Sequence, residues 1–165
     1  MTPVCTALPT DVVGAYQAGA PDANGMRPER AISDGEGNPC RHCLREIPEG
    51  APMLILAHRP FPAPQPYAEL GPIFLCANPC ERWQGDALPP IATAPDYIVR
   101  GYTAADRIRY GTGAVVRTPD LPERARELLA RDDIAYLHVR SARNNCYQFR
   151  IDRAPGDAET APHTA

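Results

Sequence analysis

The sequence predicts an α+β fold, with a mainly antiparallel sheet of about five strands, one or two packed helices and long loops rich in proline and glycine. Three observations lead to this prediction. Short apolar runs bounded by turn residues recur along the chain, which is typical of strands. One segment, residues 120–131, has the apolar face of an amphipathic helix. The 20 prolines among 165 residues favour short elements joined by loops.

The N-terminal part predicts one short helix and a loop. Bulky residues recur at helical spacing within residues 10–20, and Thr10 or Asp11 can cap the N-terminus of that helix. Residues 21–39 are mostly Gly, Pro, Asn, Asp and Arg, so we expect a long ordered loop there.

Four apolar runs in the middle of the chain predict strands. Residues 53–58 form the first run, and residues 73–76 form the second after a predicted Gly-Pro turn at residues 71–72. Four alternating prolines between these runs favour a stiff extended crossing. Residues 97–102 and 108–116 give two further candidate strands.

The C-terminal part predicts a helix followed by a β-hairpin. Pro122 suits the first turn of the helix at residues 120–131. One face of that helix carries the apolar residues Leu121, Ala125, Leu128 and Leu129. Residues 134–141 and 146–153 alternate between apolar and polar side chains, as the two strands of a hairpin do.

The apolar pattern also predicts the register of this hairpin. One face of the hairpin should collect Leu137 and Val139 with Tyr147, Phe149 and Ile151. The apolar faces of the two strands coincide only if the numbers of two paired residues add up to an even number. An even sum requires a loop with an odd number of residues, such as residues 143–145, with an Asn in the left-handed region. We therefore expect His138, Arg140 and Cys146 on the opposite face, which is either solvated or a site.

Length and composition bound the organisation of the chain. We expect one globular domain over residues 1–153 and a disordered tail over residues 154–165, which are small and polar.

The formal net charge of −3 and the scattered arginines give no reason to expect nucleic acid as a partner. No apolar run approaches the roughly 20 residues that cross a bilayer, so no membrane partner is expected either. All 17 basic residues are Arg, which excludes a lysine Schiff base.

The first residues show neither the basic nor the apolar region of a secretory signal, and we expect a cytoplasmic protein. In that reducing compartment static disulfides are disfavoured. The six cysteines are then metal ligands, redox thiols or buried core residues.

Four of the cysteines form two close pairs, Cys40 with Cys43 and Cys76 with Cys80. Two such pairs can supply the four thiolates of a tetrahedral zinc site. Zinc is therefore the candidate cofactor. Prolines, rather than the glycines usual in zinc knuckles, flank each pair, and plain burial of the thiols stays as an alternative.

A redox or nucleophilic role is a further alternative for these thiols. Arg41, His42 and Arg45 surround the first pair and would lower a thiol pKa. However, the βαβ frame of thioredoxin-like proteins is missing. Acyl transfer with His138 as the base is conceivable, although no nucleophile elbow or triad spacing is present.

Several segments together resemble a known family. They are residues 15–25, 39–44, 71–74, 100–102, 136–140 and 145–147. Over nearly its whole length the chain is similar to the bacterial family catalogued as domain of unknown function 1203, which has no assigned activity. The resemblance implies that the broad family pattern includes Cys40, Arg41, His138 and Cys146.

The same resemblance implies that Cys43 and Cys80 recur in only a subset of relatives. It also implies that close relatives usually have His at the position of Cys76. Cys and His exchange naturally at a zinc ligand, although they also exchange at half-buried positions without a ligand.

From these observations we expect a small-ligand-binding or accessory domain with a site built from Cys40, Arg41, His138, Arg140 and Cys146. The alternatives are a zinc-stabilised interaction module, held by the two cysteine pairs, and a thiol-dependent enzyme or redox protein. The zinc alternative requires all four sulfurs within about 4 Å of one another. We favour a split arrangement, in which Cys40 faces the hairpin while Cys43 lies near Cys76 and Cys80.

Overall fold

The computed structural model describes residues 2–85 and 87–154 and contains two antiparallel sheets and two α-helices, which confirms the predicted α+β class. Its elements are β1 Pro3–Thr6, α1 Thr10–Gln17, β2 Glu29–Ile32, β3 Pro52–His58, β4 Gly71–Cys76, β5 Asp96–Tyr102, β6 Ala114–Arg117, α2 Leu121–Leu129, β7 Tyr136–Ser141 and β8 Tyr147–Arg153. Neither of these helices is long and apolar enough to cross a bilayer. Except for Ala154, the predicted tail lies outside the described residues.

The large sheet has the strand order β1-β8-β7-β5-β6, and every neighbouring pair in it is antiparallel. The small sheet has the order β2-β3-β4. Its first strand, β2, lies inside the segment predicted to be a loop, and that prediction is wrong there. Because Glu29, Arg30 and Ile32 are exposed on this edge strand, the sequence carries no alternating apolar signal.

Three predicted boundaries are corrected. Residues 71–72 are not a turn but the start of β4, where Pro72 lies opposite Ala57. A proline is tolerated there because β4 is an edge strand, with only one neighbouring strand in its sheet. The strand predicted at residues 108–116 is confined to β6, although Ile108 forms an isolated bridge. Pro9 occupies the N-cap position of α1, without a side-chain cap.

Helix α2 covers one face of the large sheet, as its apolar pattern predicts. All four residues of that pattern are buried, and Leu128 is 2% exposed. They share one core cluster with the inward residues of the hairpin, Leu137, Val139, Phe149 and Ile151. A second cluster joins the small sheet to α1 and to Tyr147.

We expect Leu128→Ala to lower the free energy of unfolding by about 2 to 5 kcal/mol, because it leaves a cavity under α2. Urea denaturation measures this loss. The matched control is Glu127→Ala on the exposed face of the same helix, which should change stability by no more than about 0.5 kcal/mol. An unchanged denaturation midpoint for Leu128→Ala would show that this face does not carry the packing.

The β7–β8 hairpin follows the predicted register only in part. Leu137 lies opposite Ile151 and Val139 opposite Phe149, as the even sum requires. Asn145 adopts a positive φ of 57°, as expected for an Asn at the end of this loop.

A β-bulge then shifts the ladder between Val139 and Arg140, so that Arg140 pairs with Tyr147 and Gln148 is the extra residue. The bulge turns Tyr147 to the face of His138, and the centroids of their rings are 5.0 Å apart. The prediction that His138 shares this face with Cys146 while Tyr147 lies on the other is therefore wrong. The prediction assumed that apolar and polar residues alternate regularly through this part of β8, and the sequence gives no sign of the bulge.

Candidate metal centre and adjoining cavity

The four paired cysteines meet in one cluster. Cys40 and Cys43 lie in the turn that precedes the small sheet's central strand β3, Cys76 ends β4, and Cys80 follows it in the next loop. Their sulfur atoms all lie within 4.8 Å of one another, with 4.0 Å separating Cys40 from Cys80 and Cys43 from Cys76. A zinc tetrahedron places thiolate sulfurs about 3.8 Å apart. The limit of 4.8 Å exceeds the predicted spacing of about 4 Å, yet four sulfurs this close can hold a metal ion. The favoured split arrangement is not the one found.

The backbone around Cys40 makes a tight turn that brings both thiols of the first pair together. Leu44 donates its N–H to the carbonyl of Cys40 at 3.0 Å, and Cys40 donates to the carbonyl of Arg45 at 3.0 Å. Leu44 has a φ of 50°, in the left-handed region that favours glycine. Its side chain is fully buried, and this packing offsets a backbone cost of about 1 to 2 kcal/mol. The knuckle-like turn thus forms without a glycine.

Several N–H groups point toward the sulfur atoms. The backbone N–H of Cys76 donates to the Sγ of Cys40 at 3.4 Å. The ring of His42, which is 2% exposed, lies with its Nδ1 3.2 Å from the Sγ of Cys80 and its Nε2 3.0 Å from the Oγ1 of Thr10. Either tautomer satisfies both contacts while Cys80 is a protonated thiol. Once Cys80 is a thiolate, only a proton on Nδ1 does so, and His42 then donates to sulfur while Thr10 donates to His42.

His42 was not among the residues predicted for the site, because its expected role was only that of a neighbour that lowers a thiol pKa. Burial holds the pKa of His42 below its usual value, and the ring is neutral at pH 7. A neutral imidazole that donates to a thiolate stabilises and orients this ligand. Its position inside the C-x-x-C loop was the available signal.

The thiols also interact strongly with one another. Hydrogen bonds from Cys43, and then from Cys76 and Cys80, lower the pKa of Cys40 below its ordinary value. The hydrogen bond that Cys76 donates to Cys40 raises the pKa of Cys76. The four thiols of the metal-free cluster therefore share protons through these hydrogen bonds, and a bound cation would take the place of those protons.

Arg41 connects the cysteine turn to the large sheet. Its side chain is 3% exposed, and its Nε donates to the carbonyl of Tyr147 at 2.8 Å while Nη1 donates to the carbonyl of Pro39. Its guanidinium lies over the ring of Phe74, 5.9 Å from the centroid. Burial lowers the pKa of Arg41 to about 10, so the group stays cationic at neutral pH.

A cavity of about 600 Å³ lies beside this centre, between α1, the segment after β3 and the Tyr147 face of β8. His138 is fully buried in its wall, and neither ring nitrogen has a hydrogen-bond partner among the described residues. The rings around it, at centroid distances from 4.7 to 5.1 Å, are Phe61, Tyr102, Tyr136 and Tyr147. Burial, and then Arg140, hold the pKa of His138 well below its usual value, so the imidazole is neutral.

The residues expected to form a Cys/His site occupy different places. Cys40 belongs to the four-cysteine cluster, and His138 lines the cavity. The Nε of Arg140 donates to the backbone and side-chain oxygens of Asn145, both at 3.0 Å. Cys146 lies outside the four-cysteine cluster, and its Sγ lies 3.6 Å from the carbonyl of Asn144. Arg41 interacts electrostatically with both Cys40 and Cys146, since each thiol raises the pKa of Arg41.

Comparison with protein families gives a match. Residues 37–153 match the model of the family described as protein of unknown function (DUF1203). This range covers more than half of the chain and contains all four clustered cysteines. No curated protein and no solved structure matches the chain.

Proposed function

The chain belongs to the DUF1203 family, whose description states no activity, and we propose that it is a zinc-stabilised binding domain. A single structural Zn²⁺ would be held by the thiolates of Cys40, Cys43, Cys76 and Cys80. This proposal rests on the observation that all four sulfur atoms lie within 4.8 Å of one another. Four soft thiolates select zinc or iron rather than magnesium or calcium.

The number of ligands supports a structural role for the ion. Catalytic zinc keeps one position open for water or substrate, whereas structural zinc is closed by four protein ligands. Thiolates bound in this way are not free nucleophiles, which argues against the thiol-dependent enzyme. Cys5 offers no alternative nucleophile, because burial raises the pKa of its thiol to about 12.

The position of the centre indicates what the ion would stabilise. It would join the cysteine turn to the end of β4 and to the loop at Cys80. From the same turn, Arg41 reaches the backbone of β8 and His42 reaches the first residue of α1. Because β8 and α1 both line the cavity, the ion would also fix the position of its walls.

Native mass spectrometry of protein purified without chelator tests the proposed zinc. We expect one Zn²⁺ per chain, retained in Cys146→Ser and Cys5→Ser but lost in Cys43→Ser and Cys76→Ser. Zinc that persists in the two cluster variants would contradict the site. Iron in place of zinc would retain the site but contradict the identity of the metal.

A second function, small-ligand binding, is supported by the cavity itself. Its volume falls within the range of about 300 to 1,000 Å³ typical of ligand pockets. The fully buried His138 in its wall lacks hydrogen-bond partners in the described part of the chain, and such unpaired groups are frequent where a ligand or a water completes the network. The expected ligand site would thus lie at His138, away from Cys146.

A further inference from the structure

We propose that the cavity binds a small aromatic carboxylate, an inference that rests on the proposed ligand-binding function. The ring of the ligand would lie among aromatic side chains of the wall. Its carboxylate would lie near Arg59 and Arg82. Shape, charge and unpaired polar atoms support this class of ligand.

The shape and the lining of the cavity favour a planar apolar body. Three aromatic side chains, Tyr16, Phe61 and Tyr147, line it together with aliphatic residues such as Leu8 and Val12. Aromatic side chains bind planar rings through offset and edge-to-face contacts. A benzene-sized ring fits readily within about 600 Å³.

The charges that line the cavity favour an anion. Three arginine residues line it, Arg59, Arg82 and Arg150, against a single residue with a carboxylate, Asp152. This carboxylate already accepts hydrogen bonds from Arg150 at 2.7 Å and from Thr6 at 2.7 Å. In the described part of the chain, neither Arg59 nor Arg82 forms an ion pair. Two guanidinium charges of the lining are therefore not neutralised by a carboxylate.

The two histidines of the lining do not change this balance. Burial lowers the pKa of His58 to about 4 and holds that of His138 well below its usual value. Both rings are therefore neutral at pH 7. They act as polar, uncharged parts of the wall beside the two arginines.

Unpaired polar atoms in the wall mark where a ligand would bind. The Nε of Arg82 is buried without a hydrogen-bond partner among the described residues, although Nη2 of the same side chain donates to the carbonyl of Ala7 at 2.7 Å. Both ring nitrogens of His138 are also buried without a hydrogen-bond partner among the described residues. Carboxylates accept hydrogen bonds from Arg most strongly, so the Nε of Arg82 is the preferred donor.

A cationic ligand is the main competitor, because aromatic rings also bind quaternary ammonium groups. Phe61, Tyr147 and Tyr16 on their own would suit such a cation. The guanidinium groups of Arg59 and Arg82 oppose it, since like charges in a partly desolvated cavity repel strongly. The arginines therefore favour the carboxylate.

Titration of the zinc-loaded full-length protein with benzoate, followed by NMR, tests this proposal. Benzamide serves as the neutral probe of the same shape, and phenyltrimethylammonium serves as the cationic probe. We expect benzoate to bind at least about tenfold more tightly than either comparator. Arg59→Gln and Arg82→Gln should each weaken benzoate binding several-fold, whereas Arg45→Gln, on an exposed side chain outside the cavity, should not.

The outcomes separate the two levels of the proposal. If benzamide or phenyltrimethylammonium binds as tightly as benzoate, the carboxylate class is wrong but ligand binding stands. Benzoate binding that neither arginine variant weakens would place the anion elsewhere and overturn the proposed site. Failure of all three probes to bind at about 10 mM, where fragments of this size are expected to bind a formed pocket, would overturn ligand binding itself.

Discussion

Removal of zinc from the folded domain is expected to lower its free energy of unfolding by about 5 kcal/mol or more, and its melting temperature by more than about 10 °C. The reason is that the metal would join four thiols, which the cysteine turn, the end of β4 and the loop at Cys80 bring within 4.8 Å of one another. Without the cation, Leu44 must keep its left-handed conformation while no metal bond holds the turn closed. Thermal unfolding followed by circular dichroism, with and without a chelator, measures the change.

The domain should nevertheless remain folded without the metal. The core between α2 and the large sheet is separate from the cluster that surrounds Cys40, and a chain of this length can bury a core without metal. We therefore expect hydrogen exchange to speed up first in the small sheet and in the cysteine turn.

Two cysteine variants control the chelation experiment. Cys43→Ser should have the stability of the metal-free protein and should not respond to chelator. Cys146→Ser should respond as the unsubstituted protein does, because Cys146 lies outside the cluster. If the chelator removes the metal and the melting temperature stays the same, the ion has no structural role.

The sequence predicted those parts of the fold that depend on local periodicity. The face of α2 is correct in all four apolar residues, because helical spacing alone decides which side chains share a face. The strands β3, β5, β7 and β8 are correct within a few residues, because apolar or alternating runs mark them. The spacing of the cysteines also indicated a possible metal site before any geometry was known.

Other features depend on contacts between distant segments, and the sequence could not predict them. Strand β2 carries exposed, mostly polar side chains and exists because its backbone pairs with β3. The bulge at Gln148 shifts the pairing of β7 with β8, and the residue pattern alone does not specify it. The isolated bridge between Cys40 and Phe74 is a long-range pairing that directs Cys40 toward β4, not toward the hairpin.

Arg41 shows a related limit of sequence reasoning. The sequence placed it in a ligand site with His138 and Cys146, whereas its guanidinium donates to backbone carbonyls on both sides. Arg82 shows the converse, since nothing in the sequence distinguished it from other scattered arginines. Its buried and unpaired Nε becomes visible only once the cavity is formed.

We expect Arg41→Ala to lower the free energy of unfolding by about 4 to 6 kcal/mol. The substitution removes two hydrogen bonds donated by a charged group, each contributing about 1.5 to 3 kcal/mol, and leaves a cavity where the aliphatic stem was packed. The side chain is only 3% exposed, so water cannot replace its contacts. Urea denaturation in the presence of saturating zinc measures the loss.

Two further variants separate the parts of this effect. Arg41→Met keeps most of the stem and removes the donors, so the difference between Met and Ala isolates the packing contribution. Arg45→Ala, on an exposed side chain of the same turn, should change stability by no more than about 0.5 kcal/mol.

Since Arg41 joins the cysteine turn to Tyr147, its loss should uncouple the two sheets. Chelation should then lower the free energy of unfolding of Arg41→Ala by less than it lowers that of the unsubstituted protein. Equal costs of chelation in both proteins would show that the metal centre and the large sheet are stabilised independently.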